Sequence, residues 1–335
     1  MNVKKVIRVA LTACTLLAGA AHATTLNLPD ANPLSATAYN NFTVYSLDLL
    51  QQCQPVDPRC QPSGPYPVAS SPGAIKDQAV ILNSSNGQTN LSNDPFANGS
   101  SVDEIFLTPT GNQGTSYNMV DPGGQFIGDQ TNRWDIKLSQ LQSYLGTHDL
   151  VFLFDNNQSG NGSNQYVNIW GQARIIDAAG NTVSGLCFEI STGSGCGTDN
   201  PLDDSTFLPV ISDFCVDKVT GASYKIGLAQ NAGDCPVEAG HPQGGYQVNN
   251  NISTSTAEFA AVNLALNAAA LDPLNGELFL SINIRYTGND AGAEQLWICS
   301  ACDVTGERVN VPEPATLALF GISLLGLAFF RRRNV

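Results

Sequence analysis

The chain has 335 residues, 42% hydrophobic and only 13% charged, with a formal net charge of −14. So acidic a surface repels nucleic acid and anionic membrane, and no nucleic-acid partner is expected. There are three histidines and one, His22, lies in an N-terminal export segment, which excludes a three-histidine metal centre from the mature chain.

Lys4, Lys5 and Arg8 precede a short apolar run from Val9 to Ala20, and Ala21-His22-Ala23 has the A-x-A form of a cleavage site. The run is too short to span a bilayer as a helix. Residues 1–23 therefore read as a signal peptide for signal peptidase. Six of the 15 basic residues lie in the two terminal segments, so the part between them is more acidic than the whole. That part, residues 24–310, is long enough for one large all-β domain or two smaller ones.

In chain order, Thr25-Leu26-Asn27-Leu28 leads through a loop to an expected strand, Phe42 to Leu50. Residues 51–73 hold six prolines and read as a stapled loop. Short strands are expected at Ala79 to Leu82, Glu104 to Leu107 and Trp134 to Leu138. A short helix is expected over 139–146, with Leu138, Leu141 and Leu145 on one face. Val151 to Phe154 has the apolar run of a buried strand. Asp155 to Gln165 reads as a polar loop.

Tyr166 to Ile176 alternates, with Val167, Ile169, Ala173 and Ile175 sharing a face with Gly171, and Trp170 and Arg174 on the other. Asp177 to Asn181 reads as a hairpin turn and Thr182 to Ile190 as the returning strand. Weaker strand signals cover Phe207 to Val216, Ser223 to Leu228 and Tyr246 to Val248. Ser255 and Glu258 form a capping-box pattern ahead of Phe259, Val262, Leu266 and Ala269, which predicts a helix stopped by Pro273. Glu277 to Thr287 is the cleanest strand, in which Leu278, Leu280, Ile282, Ile284 and Tyr286 alternate with Phe279, Ser281, Asn283 and Arg285. A last strand is expected from Glu294 to Ser300. Many short strands with Gly and Asn turns point to a mostly β fold, a disulfide-stapled β-sandwich or jelly roll with one or two helices.

Cys14 leaves with the signal peptide. The remaining cysteines are Cys53, Cys60, Cys187, Cys196, Cys215, Cys235, Cys299 and Cys302. An even set in an oxidising compartment reads as disulfides. Local pairing would join Cys53 to Cys60, Cys187 to Cys196, Cys215 to Cys235 and Cys299 to Cys302. Cys299-Ser300-Ala301-Cys302 follows a strand rather than opening a helix, which favours a structural bond over a redox motif.

Residues 311–335 have a fixed order of parts. Pro312-Glu313-Pro314 comes first, then 16 uncharged residues over 315–330, then Arg331, Arg332 and Arg333 in the basic tail 331–335. As a helix the apolar part would be about 24 Å long, slightly short of a hydrocarbon core of about 30 Å. Snorkelling arginines cover the difference and mark the cytoplasmic side. This C-terminal segment resembles the PEP-CTERM sorting signal of Gram-negative bacteria that make exopolysaccharide. The resemblance implies recognition of Pro312, Glu313 and Pro314 by an exosortase-like processing enzyme, with a transmembrane helix at 315–330 holding the motif at the inner membrane. The segments Leu150 to Gln158 and Glu294 to Ile298 also look like parts of ectodomains in some PEP-CTERM proteins.

Chemistry-bearing motifs are few. His148 and His241 are expected in loops, and there is no G-x-S-x-G elbow. Asp155, Asn157 and Ser159 fall at positions 1, 3 and 5 of a loop with Gly160 at position 6, a spacing that suits Ca2+, yet Tyr166 stands where a bidentate glutamate belongs. Asp199, Asp203 and Asp204 make a second oxygen-rich loop. Both are open to two readings, a calcium loop or ordinary solvated turns. Trp170 and Tyr166 could stack on sugars or lie in the core.

The reading is an exported, non-enzymatic surface or extracellular-matrix protein of structural or adhesive type, associated with exopolysaccharide. The alternatives are a carbohydrate-binding module and a secreted polysaccharide hydrolase using two carboxylates.

Overall fold

Alternating side chains give the strands one apolar face, and pairing of distant segments decides what covers it. The computed structural model describes residues 26–31, 34, 36–53, 68, 79–83, 106–107, 112–114, 126–129, 133–156, 166–193, 196, 208–211, 213–226, 235–249, 256–287, 289–290 and 294–305. Strands β1 (Leu26–Leu28), β2 (Ala36–Tyr39) and β3 (Phe42–Ser46) lead into helix α1 (Leu47–Cys53). β4 (Ala79–Asn83), β5 (Phe106–Leu107), β6 (Asn112–Gly114) and β7 (Trp134–Lys137) lead into α2 (Leu138–Leu145). Next come β8 (Phe152–Asn156), β9 (Tyr166–Ile176), β10 (Thr182–Ile190), β11 (Leu208–Ile211), β12 (Asp213–Asp217), β13 (Ser223–Ile226), β14 (Gly245–Asn249) and β15 (Phe259–Val262). Helix α3 (Leu264–Leu271) and a 3-10 turn (Pro273–Asn275) precede β16 (Phe279–Thr287), β17 (Asn289–Asp290), β18 (Glu294–Ile298) and β19 (Cys302–Val304).

A seven-stranded sheet has the order β2-β3-β15-β8-β18-β4-β5. A second sheet has the order β10-β9-β16-β7, with β11 on the far half of β9. One apolar core takes Phe152, Phe154, Leu296 and Ile298 from the first sheet and Ile175, Leu280, Ile282, Ile284 and Tyr286 from the second. Leu138, Leu141 and Leu145 of α2 and Leu266 and Ala270 of α3 join it. The opposite face of the first sheet forms a second core of Val80, Leu153, Ala260 and Trp297 with Leu26, Leu28, Leu47, Leu50 and Val304. There β1 and β19 pair in parallel, Leu26 against Cys302, so the two ends of the described chain meet. β13, β12 and β14 form a small sheet of their own. The fold is mostly β with three α-helices among the described residues; its strand order does not establish a jelly roll.

Two expectations are corrected. Phe42 to Leu50 is not one strand: it turns helical at Leu47. The Ser46 hydroxyl accepts the Leu49 amide at 3.2 Å, as an N-cap does, and Asp48 sits in the first helical turn. The second concerns the helix placed at Phe259. Phe259–Val262 is a strand between β3 and β8, where neighbours on both sides satisfy its backbone. The helix begins only after Asn263, whose side chain accepts the Leu266 amide at 2.7 Å. The Ser255/Glu258 spacing imitates a capping box, but tertiary strand pairing outweighs local propensity.

Disulfides join Cys187 to Cys196, Cys215 to Cys235 and Cys299 to Cys302. The expected Cys53–Cys60 pairing involves Cys60, which, like the signal peptide and residues 311–335, lies outside the described residues. Among the described residues no helix is long and apolar enough to cross a membrane. The Cys215–Cys235 bond spans 20 residues and ties buried Cys215 of the small sheet to the segment before β14. Replacing both cysteines by serine is expected to cost about 2–4 kcal/mol, read as a lower thermal midpoint.

Candidate functional site

β9 and β16 pair over nine positions, from Phe279 against Ile176 to Thr287 against Asn168. One face of that ribbon is the apolar core. The other is polar. Asp135, Ser281, Arg174 and Cys187 form one cross-strand row, and Asn283, Gln172 and Glu189 form the next. Arg285 lies against Trp170 in the row beyond. Outward faces of antiparallel sheets usually meet water. Here Arg133, Asp135, Trp170, Gln172, Glu189, Ser281, Asn283 and Arg285 are each no more than 4% exposed.

Burial at that level demands internal hydrogen bonds. Arg133 Nη2 donates to Gln172 Oε1 at 3.3 Å, and Gln172 Nε2 donates to Glu189 Oε2 at 3.4 Å. The Ser191 hydroxyl donates to Glu189 Oε1 at 2.7 Å. The Arg285 guanidinium lies 6.0 Å from the Trp170 ring centroid. At one end Phe126 stacks on Phe279 with centroids 4.0 Å apart. Gly128 there approaches the backbone so closely that a Cβ would meet Gly180 N at 1.9 Å, which leaves room only for glycine.

Arg174 differs from its neighbours in being half-buried. Its pKa is pulled down to about 10, first by burial and then by the Arg133 charge, with Glu189 opposing. Arg133 is also lowered by burial, and Asp135 offsets part of that. The side chain thus stands beside a second guanidinium, within a layer that also holds the Asp135 and Glu189 carboxylates. Such an arrangement binds and orients polar or anionic groups. Sequence reading separated Trp170 and Arg174 from the core face of β9, and Ser281, Asn283 and Arg285 from that of β16, but did not place them together. Arg133, Asp135, Gln172 and Glu189 were missed, since only long-range pairing puts them in this layer. Trp170, one of the two aromatics considered for sugar stacking, is 1% exposed and packed; the Tyr166 side chain lies outside the described residues.

A second polar group stands on the seven-stranded sheet. Asp155 is the fourth residue of β8 rather than the first of a loop, and it is buried. Gln295 of β18 lies across from it, and Glu258 precedes β15 on its other side. Glu258 accepts the Asn156 amide at 2.7 Å. Burial raises the Glu258 pKa well above the usual carboxylate range, with help from Asp155 and Glu294. Tyr286 is raised well above its usual value by burial, Glu294, Asp155 and Glu258. The other members of the expected calcium loop, Asn157 and Ser159, lie outside the described residues, as do Asp199, Asp203 and Asp204. Among the described residues, no group of three or more His, Cys, Asp or Glu is arranged to hold a metal ion.

The two histidines each meet an aspartate. His241 Nδ1 lies 2.9 Å from Asp217 Oδ2, and the His241 ring stacks on Tyr224. Asp217 also accepts the Val219 and Thr220 amides and the Thr220 hydroxyl. The Thr220 amide first, then His241, holds the Asp217 carboxyl well below the usual range. His148 lies 3.2 Å from Asp303. Asp217 thus stabilises the turn after β12, and His148 joins the α2 end to β19; both are structural placements.

Two family models match the chain. Residues 26–285 match the family described as Domain of unknown function (DUF8239). Residues 310–333 match the PEP-CTERM protein-sorting motif, which covers Pro312, Glu313, Pro314 and Arg331 to Arg333. No curated protein and no solved structure matches. The first match stops at Arg285, yet β18 lies between β8 and β4 and β19 pairs with β1, so the folded body continues past the matched stretch. The second match implies export, sorting to the cell surface and processing by exosortase-type machinery. With one family model running along most of its length and the sorting motif at its end, the chain belongs to the DUF8239 family and is a PEP-CTERM sorting-signal protein.

Proposed function

We propose that residues 24–310 are a non-enzymatic structural or adhesive component of the cell surface or extracellular matrix, associated with exopolysaccharide. The observation that carries this reading is the C-terminal PEP-CTERM motif behind a disulfide-bonded, mostly β body. In this reading signal peptidase removes residues 1–23. The helix 315–330 then holds the protein at the inner membrane, with Arg331 to Arg333 on the cytoplasmic side. An exosortase-type enzyme recognises Pro312-Glu313-Pro314 and frees the body.

Replacing Glu313 and Pro314 by alanine is expected to block release, so that the chain stays in the membrane fraction at its unprocessed mass. Unchanged mature mass and location in that variant would sink the processing assignment. The released protein is expected to co-sediment with the producing organism's own exopolysaccharide. Repeating that assay with Ca2+ and with chelator tests the Asp155, Asn157 and Ser159 loop, because a calcium-dependent tether would lose binding on chelation. A second reading, a carbohydrate-binding module, is favoured by one observation: the arginine-bearing polar layer on β7, β16, β9 and β10.

A further inference from the structure

We propose that the exposed apolar face of α3, together with Leu274 just beyond it, docks on the lipid surface of the membrane that anchors the unprocessed chain. This rests on the C-terminal anchor proposed above and adds the orientation in which the body is held while its sorting motif is processed.

The sequence sets α3 apart. Phe259 to Leu271 holds no charged residue. Leu266, Asn267 and Ala270 are buried and mark the inward side of the helix. At about 100° per residue, Leu264, Ala265, Ala268 and Leu271 then share the opposite side. Leu264 is 50% exposed, Ala265 is exposed, and Ala268 and Leu271 are half-buried. A helix at a water boundary normally turns polar residues outward. The neighbouring α2 does so, exposing Ser143 and half-exposing Ser139 and Gln140, while its Gln142 donates to the Ala270 carbonyl of α3 at 2.9 Å. Leu274, in the turn after α3, is 91% exposed. Charges beside it are already engaged. Asp272 accepts the Leu274 amide at 2.9 Å, and Glu277 pairs with Lys137 at 2.7 Å.

Topology places this face beside the point where the chain leaves the body. Ala261 of β15 and Ile298 of β18 both pair with Phe152 of β8, so β15 and β18 end where β8 begins. α3 crosses that end of the seven-stranded sheet on its way to β16 in the other sheet. Two consecutive residues join it to the exit strand. Asn267 Nδ2 donates to the Leu150 carbonyl at 3.0 Å, and Asp149 Oδ2 accepts the Val304 amide at 2.8 Å. Thr305 follows, and six residues separate it from Pro312. Fully extended, that connection spans at most about 25 Å. An anchored chain therefore keeps this end of the body close to the bilayer.

The size of the face decides what covers it. Eight helical residues make a surface about 12 Å long and about 10 Å wide. A stable dimer buries roughly 800 Å² per partner, far more than such a surface offers. A tether removes that demand, because an attached body meets the membrane at high effective concentration and a small apolar contact suffices. The body as a whole is acidic, but this patch has no charge for a bilayer to repel. Cutting the sorting motif removes the tether, and the small contact alone no longer holds the body.

The test uses the oxidised full chain reconstituted in phosphatidylcholine vesicles. Leu264→Cys and Leu274→Cys each carry an environment-sensitive dye, and Val237→Cys carries it as the control. Val237 is also exposed and apolar, but it lies just before β14 of the small sheet, which packs on α1 at the opposite end of the seven-stranded sheet. Spin-labelled lipid is expected to quench the dye at 264 and 274 about 3-fold or more above the dye at 237. Leu264→Gln in the Leu274→Cys chain is expected to lower quenching at 274 about 2-fold or more, with an unchanged thermal midpoint, because the side chain it replaces is half exposed. Vesicle flotation reads the anchor separately. A chain that floats but is quenched equally at all three positions keeps the anchor and overturns the docking face. A chain that does not float overturns the anchor and the docking with it. Dye shielding at 264 and 274 that grows with protein concentration, without quenching by lipid, would assign the face to a second copy of the chain and overturn the membrane as its partner.

Discussion

Trp297→Ala is expected to destabilise the body by about 3–5 kcal/mol, measured by chemical denaturation of the oxidised protein. Trp297 is fully buried in the middle of the seven-stranded sheet, with Leu153 of β8 on one side and Val80 of β4 on the other. It fills the second core with Val151, Leu28 and the Cys299 and Cys302 side chains. Truncating the indole removes its volume from that packed core and leaves a cavity. A loss of that size is a large fraction of the 5–15 kcal/mol that typically holds a domain together. Trp297→Phe separates packing from polarity. The indole N–H makes no hydrogen bond, so replacing it should cost only about 1 kcal/mol for the smaller ring. Equal losses in the two variants would show that the N–H, rather than the volume, matters.

Glu258→Gln is expected to raise stability at neutral pH and to remove a pH dependence that the wild type shows. The Glu258 carboxyl is buried beside Asp155 and near Glu294, so its folded pKa lies well above the ordinary value. The unfolded chain releases that proton at ordinary carboxylate pH while the folded chain keeps it. The folded state therefore binds more protons in this window, and stability falls as pH rises above the unfolded pKa, by up to about 1.4 kcal/mol per pH unit for one proton. Glutamine keeps an oxygen for the Asn156 amide and has no proton to lose. Thermal midpoints of the two proteins should agree near pH 4 and diverge upward in favour of the variant by pH 7. Parallel curves across that range would mean that Glu258 titrates normally in the folded chain.

Much of the local structure was legible. β9 and β10 have the bounds that alternation predicts, and the turn between them closes as expected, with Asp177 Oδ1 accepting the Ala179 and Asn181 amides at 2.8 and 2.9 Å. Helix α2 buries Leu138, Leu141 and Leu145, the three leucines spaced for it. Misreadings fell where a local signal met a distant partner. Ser255 and Glu258 carry a helix-start pattern, yet β3 and β8 hold the next four residues extended. Asp155 has the spacing of a first calcium ligand, yet strand pairing with β18 draws it into the sheet. Nothing local announces that Leu26 will pair with Cys302.

By itself the sequence determined the routing and the class of fold. A sorting signal is a contiguous run of residue types, so Pro312-Glu313-Pro314, the apolar run and the arginines can be recognised without any fold. Strand periodicity is likewise a property of neighbours a few residues apart. The tertiary structure alone decided the candidate site. Alternation in β9 and β16 says that Arg174 and Ser281 leave the apolar core. It does not say that they face each other, that Arg133 and Glu189 join them, or that the layer is buried. Those facts depend on register between segments more than 100 residues apart, such as Ser281 against Arg174 and Asp135. Register of that kind is fixed by the packing of two sheets into one core, and a one-residue slip would turn every arginine of the layer into the apolar side.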